Sequence, residues 1–154
     1  MTVYDNLPTI ADLDELAELV TAYAAKDQLF VRWSAGPAGD LRQGASRDSL
    51  TGVPLPGLSA NPLAVEPWWG DRSMRLWVAR RLYDYRHLRY EHGTTVRPWV
   101  LVGSQCGRGP DNEPLVRVRR PVAWIADTAL IEAEHLVEAQ NAAGWGPLDR
   151  RGAR

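Results

Sequence analysis

One cysteine, one lysine, one phenylalanine and three histidines stand among 154 residues. A lone Cys106 excludes an internal disulfide framework and any zinc site built from several cysteines. His87, His92 and His135 are scattered without ligand spacing, so no metal centre is expected. No apolar run approaches the ~20 residues that span a bilayer. The N-terminus, MTVYDNLPTIADLDEL, is acidic where a secretion signal would be basic and then apolar. These absences describe a cytoplasmic protein with no membrane contact. No repeat, low-complexity tract or long linker divides the chain. Its size suits one domain over residues 1–154, with about 1–9 and 149–154 flexible. Gly103, Gly107 and Gly109 do not form a dinucleotide fingerprint, because no helix follows them, and GWGPL lacks the lysine of a phosphate loop.

What is present is tryptophan, tyrosine and arginine. Seven Trp and five Tyr carry the aromatic content. Their N–H and O–H groups want partners, which favours half-wet sites such as pocket walls and interfaces. Every basic residue except Lys26 is Arg. Codon bias alone would produce that. The functional alternative is two-pronged recognition of phosphate or carboxylate, which Arg performs better than Lys. The formal net charge of −1 hides an uneven distribution. Residues 1–30 hold six acids against one base, and 71–120 hold eleven Arg against five acids. A basic middle third would suit an anionic ligand, or would simply be neutralised by the acidic ends.

Periodicity predicts a helix over about Asp12–Ala25, with Asp12 and Glu15 as a capping-box pair. Gln28–Ser34 alternates as a strand that sends Leu29, Val31 and Trp33 to one face and Arg32 to the other. Residues 35–62 are too broken for a long element, although Leu55–Ala60 could form a short strand. A second helix is expected over about Ser73–His87, with Arg75, Arg80, Arg81, Arg86 and Arg89 on its polar surface. Strands Pro98–Gln105 and Pro114–Ile125 flank a bend at Gly107–Asn112, and Asp127 caps a last helix reaching about Asn141. Trp145, in GWGPL, is expected to tuck back onto the body. The fold class that follows is α+β: a small, mostly antiparallel sheet with N-terminal, central and C-terminal helices.

The blocks VRWSAGPAGDL, LPGLSANPL, EPWWGD, LWVARRLYDY, RPWVL, GRGPDNEPLV, PVAWI and WGPL resemble an uncharacterised family of small actinobacterial proteins of unknown function. That resemblance covers about Leu13–Leu148 and implies no activity. A second resemblance rests on residue order. Arg32 on the first long strand, Ser59 in LPGLSANPL and Glu113 at the head of a late strand are similar to the Arg–Ser–Glu motif of the ADP-ribosyltransferase superfamily. It implies that Arg32 grips a dinucleotide, Ser59 braces the nicotinamide ribose and Glu113 holds a ribose hydroxyl. Leu58-Ser59-Ala60 stands where that family often has Ser-Thr-Ser, and Asp111 stands where its arginine-modifying members place a first Glu. NAD would then be a substrate, with no tightly bound cofactor, and Glu113 the catalytic residue. Breaking the bond to nicotinamide passes through an oxocarbenium-like transition state, which a neighbouring carboxylate stabilises. Trp33 or Trp68 would stack on a base.

Plainer roles exist for the same residues. Arg32 would pair with a neighbouring carboxylate, Ser59 would bond backbone in a turn, and Glu113 would be a solvated acid of a hairpin bend. The alternative function is a non-enzymatic binding or regulatory domain with an Arg- and Trp-rich surface. Trp68 and Trp69 would anchor a protein partner. Nucleic acid is a weaker expectation, because no recognised nucleic-acid module is present and the chain is not basic as a whole.

Overall fold

The computed structural model describes residues 6–23, 28–48, 50–93 and 95–140. Lys26, Asn141, Trp145 and the C-terminal arginines lie outside the described residues, and so do the expected ends of the first and last helices. The architecture is α+β. Five helices and six strands run in the order β1 (Thr9–Ile10), α1 (Leu13–Tyr23), β2 (Leu29–Ser34), α2 (Pro37–Gln43), β3 (Leu58–Ser59), β4 (Asn61–Pro62), α3 (Met74–Tyr85), α4 (His87–His92), β5 (Arg97–Arg108), β6 (Pro114–Ile125) and α5 (Asp127–Ala139), counted among the described residues.

The β5–β6 hairpin is the spine of the sheet. Its strands carry Val, Leu, Ile and Trp at pleated spacing and pair antiparallel from Trp99 opposite Trp124 to Arg108 opposite Pro114. Three register shifts, at Val100/Leu101, Val102/Gly103 and Gln105/Gly107, curl the ribbon. Strand β2 adds antiparallel to β5, and β4 adds to β2. The outer edge of β6 is shared by two short strands: β3 pairs antiparallel near its start and β1 pairs parallel at its end. The sheet is therefore mostly antiparallel, as its hairpin-forming sequence implies. Thr9, expected within a flexible lead, is instead held in β1, where the Pro8 carbonyl accepts the Trp124 N–H at 2.9 Å.

Curling gives the sheet two apolar faces. Leu29, Val31 and Trp33 of β2 join Val100, Val102, Ala123 and Ile125 beneath α1, α3 and α5. Phe30, on the other side of β2, joins Ala60, Trp99, Leu101 and Val116 in a smaller cluster. Arg32 and Ser34 share that second side by strand alternation.

Helix α1 starts where the sequence indicates. Asp12 Oδ1 accepts the Glu15 N–H at 2.9 Å, and Glu15 Oε2 reaches back to the Ala11 N–H at 3.0 Å, one residue earlier than in the usual capping box. Two expectations are corrected, while the central helix forms as α3 behind a Ser73 cap and is followed by α4. Arg80 is not on its polar surface: it is 2% exposed, because Asp84 one turn later takes its Nε–H at 2.9 Å inside the core. Asp127 is the first residue of α5 rather than its cap, and its carboxylate accepts from Arg89 Nη1 at 2.7 Å. Residues 35–62 also hold a helix that periodicity does not reveal. Helix α2 begins at Pro37 and stops at Gly44, whose φ of 75° suits the left-handed turn ending a helix.

Candidate functional site

Strand alternation sends Arg32 away from the helices and into a polar knot. Its Nε donates to Asp40 Oδ2 at 2.7 Å and Nη2 to Asp40 Oδ1 at 3.3 Å, a two-pronged contact with α2. Nη1 reaches the Ser59 carbonyl at 2.8 Å, with the Ser59 and Ser46 hydroxyls each at 3.3 Å. Both charged side chains are largely buried, at 14% and 13% exposure. The knot extends inward. Ser34 Oγ donates to Asp40 Oδ2, and it accepts the Trp99 indole N–H at 2.9 Å and the Gly36 N–H at 3.1 Å. Ser46 Oγ also accepts the Ser59 N–H at 2.9 Å. Arg32 therefore sets the position of Ser59 and α2, with most of its donors already in use.

Ser59 opens onto a cleft of about 700 Å³. One wall is a small hairpin, closed by the Arg47–Pro54 bridge, that contributes Arg47 and Asp48. Asn61 comes from β4, Tyr85 from the end of α3, and His87 from the start of α4. The far rim is the β5–β6 turn, with Asp111 and Glu113. That turn is closed by Gly109 N–H to Glu113 O at 2.9 Å, with Asn112 at a φ of 62°. The Glu113 side chain folds back over Gly109. A Cβ there would lie 1.8 Å from Glu113 Oε1, and Oε2 accepts the Asp111 N–H at 2.9 Å. Glycine at 109 is thus what allows the carboxylate to sit on the rim. Ser59 pairs with Leu115, two residues beyond Glu113, which brings the two residues to one end of β6.

The structure joins Arg32 to Ser59, and Ser59 to the cleft that Glu113 borders. Trp33 and Trp68 lie elsewhere. Trp33 is on the helix side of β2, and Trp68 stacks edge-on with Trp69 and Trp77, its indole N–H held by Glu66. Tyr85 is the aromatic ring in the cleft. Asp40, Ser34 and Ser46 carry no motif, and only their contacts with Arg32 single them out. Tyr85 and His87 are visible in the sequence merely as part of an Arg- and Tyr-rich helix. Among the described residues no group of His, Cys, Asp and Glu could hold a metal ion.

Chemically, the cleft mixes carboxylates, an amide, an imidazole, a guanidinium and hydroxyls around one aromatic ring. Such a lining matches a ligand rich in hydroxyl groups, whose O–H bonds need acceptors and whose oxygens need donors.

Comparison with known proteins adds one finding. A family of unknown function, DUF6098, matches residues 3–146. The chain belongs to that family. No curated protein and no solved structure matches it. Membership covers the sheet, the helices, the Arg32–Asp40 knot and the cleft, so all of them lie within the family's shared unit. Among the described residues no helix is long and apolar enough to cross a membrane.

Proposed function

We propose that the chain binds a ribose-bearing nucleotide, NAD or a close relative, in the cleft between Ser59 and Glu113, and acts on it as an ADP-ribosyltransferase-like protein. The observation that carries this reading is that Arg32, Ser59 and Glu113, in sequence order, belong to one connected structure: Arg32 bonds Ser59 at 2.8 Å, and Ser59 and Glu113 both line the cleft. In this reading Ser59 and Asn61 hold the ribose, and Glu113 stabilises the positive charge that develops as the bond to nicotinamide breaks. Arg32 is a positioning residue, because Asp40 occupies the fork that would otherwise meet pyrophosphate. Stacking on a base falls to Tyr85 rather than to Trp33 or Trp68, and Arg47, which lines the same cleft, is the guanidinium available to a phosphate.

The test is a thermal-shift titration with NAD, ADP-ribose and adenosine, followed by measurement of nicotinamide release. A ligand specific to the native state raises the midpoint, by the equivalent of ~2.7 kcal/mol at a hundredfold excess over its dissociation constant. Glu113→Gln should retain the shift and lose the release, whereas Asn61→Ala should lose the shift. A flat response to all three ligands at saturating concentration would sink the reading.

A further inference from the structure

The charge balance of the Ser59–Glu113 cleft bears on which part of a nucleotide it takes. Among the described residues Asp48, Asp111 and Glu113 line it with a single guanidinium, Arg47, so with His87 neutral the cleft is net negative. Two of the carboxylates accept backbone N–H groups, which orient them without cancelling their charge. Asp48 Oδ1 accepts from Leu50 and Thr51 at 2.8 and 3.2 Å, and Glu113 Oε2 accepts from Asp111 at 2.9 Å. Among the described residues none of the three acids makes an ion pair.

Such a lining repels the two charges of a pyrophosphate. Arg32, the cation that would offset them, directs Nε and Nη2 to Asp40 and Nη1 to the Ser59 carbonyl. Arg47 already donates from Nη1 to the Gly52 carbonyl at 2.9 Å. A concave site lined by one sign of charge concentrates the opposite sign, here a cation. Tyr85 is an independent sign of what kind of cation fits. Its aromatic ring lines the same cleft, in tilted contact with His87 at 6.4 Å between centroids. An aromatic ring among carboxylates suits a flat, positively charged ring, drawn both by stacking and by the negative face of the π-system. His87 Nδ1 lies 3.1 Å from the Asp84 carbonyl, which can only accept, so Nδ1 carries the proton and Nε2 of the neutral ring is an acceptor. Acceptors that outnumber donors suit the O–H groups of a sugar and the N–H groups of an amide.

We infer that the cleft selects a positively charged pyridinium riboside, such as the nicotinamide riboside portion of NAD, and that a pyrophosphate weakens binding instead of anchoring it. This selectivity rests on the reading of the cleft as a ribosyl site and narrows its ligand. Hydrolysis there breaks the C1′–N bond, sends its electron pair away with neutral nicotinamide, and joins C1′ to the oxygen of water with release of a proton. The positive charge passes from the ring to the sugar and stays inside the negative cleft.

The test is a thermal-shift titration of the full chain with nicotinamide riboside, its uncharged 1,4-dihydro form, NAD, ADP-ribose and adenosine, at low and at high salt. The dihydro form keeps the sugar and nearly the same shape, and it lacks the ring charge. Nicotinamide riboside is expected to bind tightest, with NAD and the dihydro form weaker and the preference shrinking at high salt. Asp111→Asn, on an exposed turn, should weaken nicotinamide riboside by up to about fivefold and leave the dihydro form unchanged. NAD or ADP-ribose binding as tightly as nicotinamide riboside would overturn the selectivity and leave the ribosyl site standing. Equal affinity for the charged and uncharged ribosides would do the same. A flat response to every ligand, adenosine included, would sink the ribosyl site and the selectivity together.

Discussion

Removing Asp40 would strand the Arg32 guanidinium in a largely buried position, with only neutral oxygens from Ser46 and Ser59 as partners. Asp40→Ala is therefore expected to cost about 3 kcal/mol, read as a lower urea midpoint at unchanged slope. Arg32→Lys should fail to restore the knot, because an ammonium cannot bridge both Asp40 oxygens and the Ser59 carbonyl together. Gly109 gives a different residue-scale prediction. An added methyl would meet only the mobile end of Glu113, so Gly109→Ala should leave the urea midpoint nearly unchanged. It should nonetheless displace the Glu113 carboxylate from the rim and reduce nicotinamide release as far as Glu113→Gln does. Equal activity in Gly109→Ala and wild type would separate Glu113 from the chemistry.

At the scale of elements, α2 is the piece on which the site's geometry depends. It is seven residues long, too short to persist on helix propensity alone. Asp40 ties it to β2, and Gly36 makes the entry possible. A Cβ at Gly36 would approach Trp124 to 2.7 Å, and its φ of 140° is one that side chains rarely adopt. Gly36→Ala should therefore destabilise by about 2 kcal/mol. It should also loosen Ser59, visible as faster hydrogen exchange at the Ser59 amide now held by Ser46. The regular elements were readable because each carries its own periodic pattern. The Leu-rich stripe of α1 and the alternation in β2, β5 and β6 are local signals. Helix α2 was not readable, since its decisive contacts come from Arg32 and Ser34 in a different element. The burial of Arg80 was missed for a related reason: an arginine reads as surface until its partner, Asp84, is seen to enter the core with it.

Across the whole molecule, Glu132 on α5 joins three helices. Its Oε1 accepts the Leu13 N–H at 2.8 Å at the start of α1, and Oε2 accepts from Arg75 on α3. The Leu13 N–H, followed by the Arg75 bond, holds the Glu132 carboxyl below its ordinary value of 4.5. Arg75 is in turn raised above its own ordinary value by the hydrogen bond to Glu132 and stays charged throughout the acid range. A depressed carboxyl pKa stabilises the fold at pH values above the unfolded value, near 4.5. That stability is lost as pH falls through the lower folded value. Urea unfolding followed downward from neutral pH should show the wild type losing stability below about pH 4.5. Glu132→Gln should start lower by about 1–2 kcal/mol, since a partly exposed pair is screened, and should have a flatter profile. Parallel profiles for the two proteins would remove Glu132 from the acid response.

The sequence by itself determined the α+β class, the strands of the central hairpin, the start of α1 and the order Arg32, Ser59, Glu113. All of these are written in local spacing or in simple succession along the chain. Only the tertiary structure decided what those residues face. It turned Trp33 toward the helices, gave Arg32 to Asp40, and brought Tyr85 and His87 to the cleft that Ser59 lines. Partners separated by tens of residues leave no periodic trace, because their meeting is fixed by the curl of the sheet and the packing of helices on it.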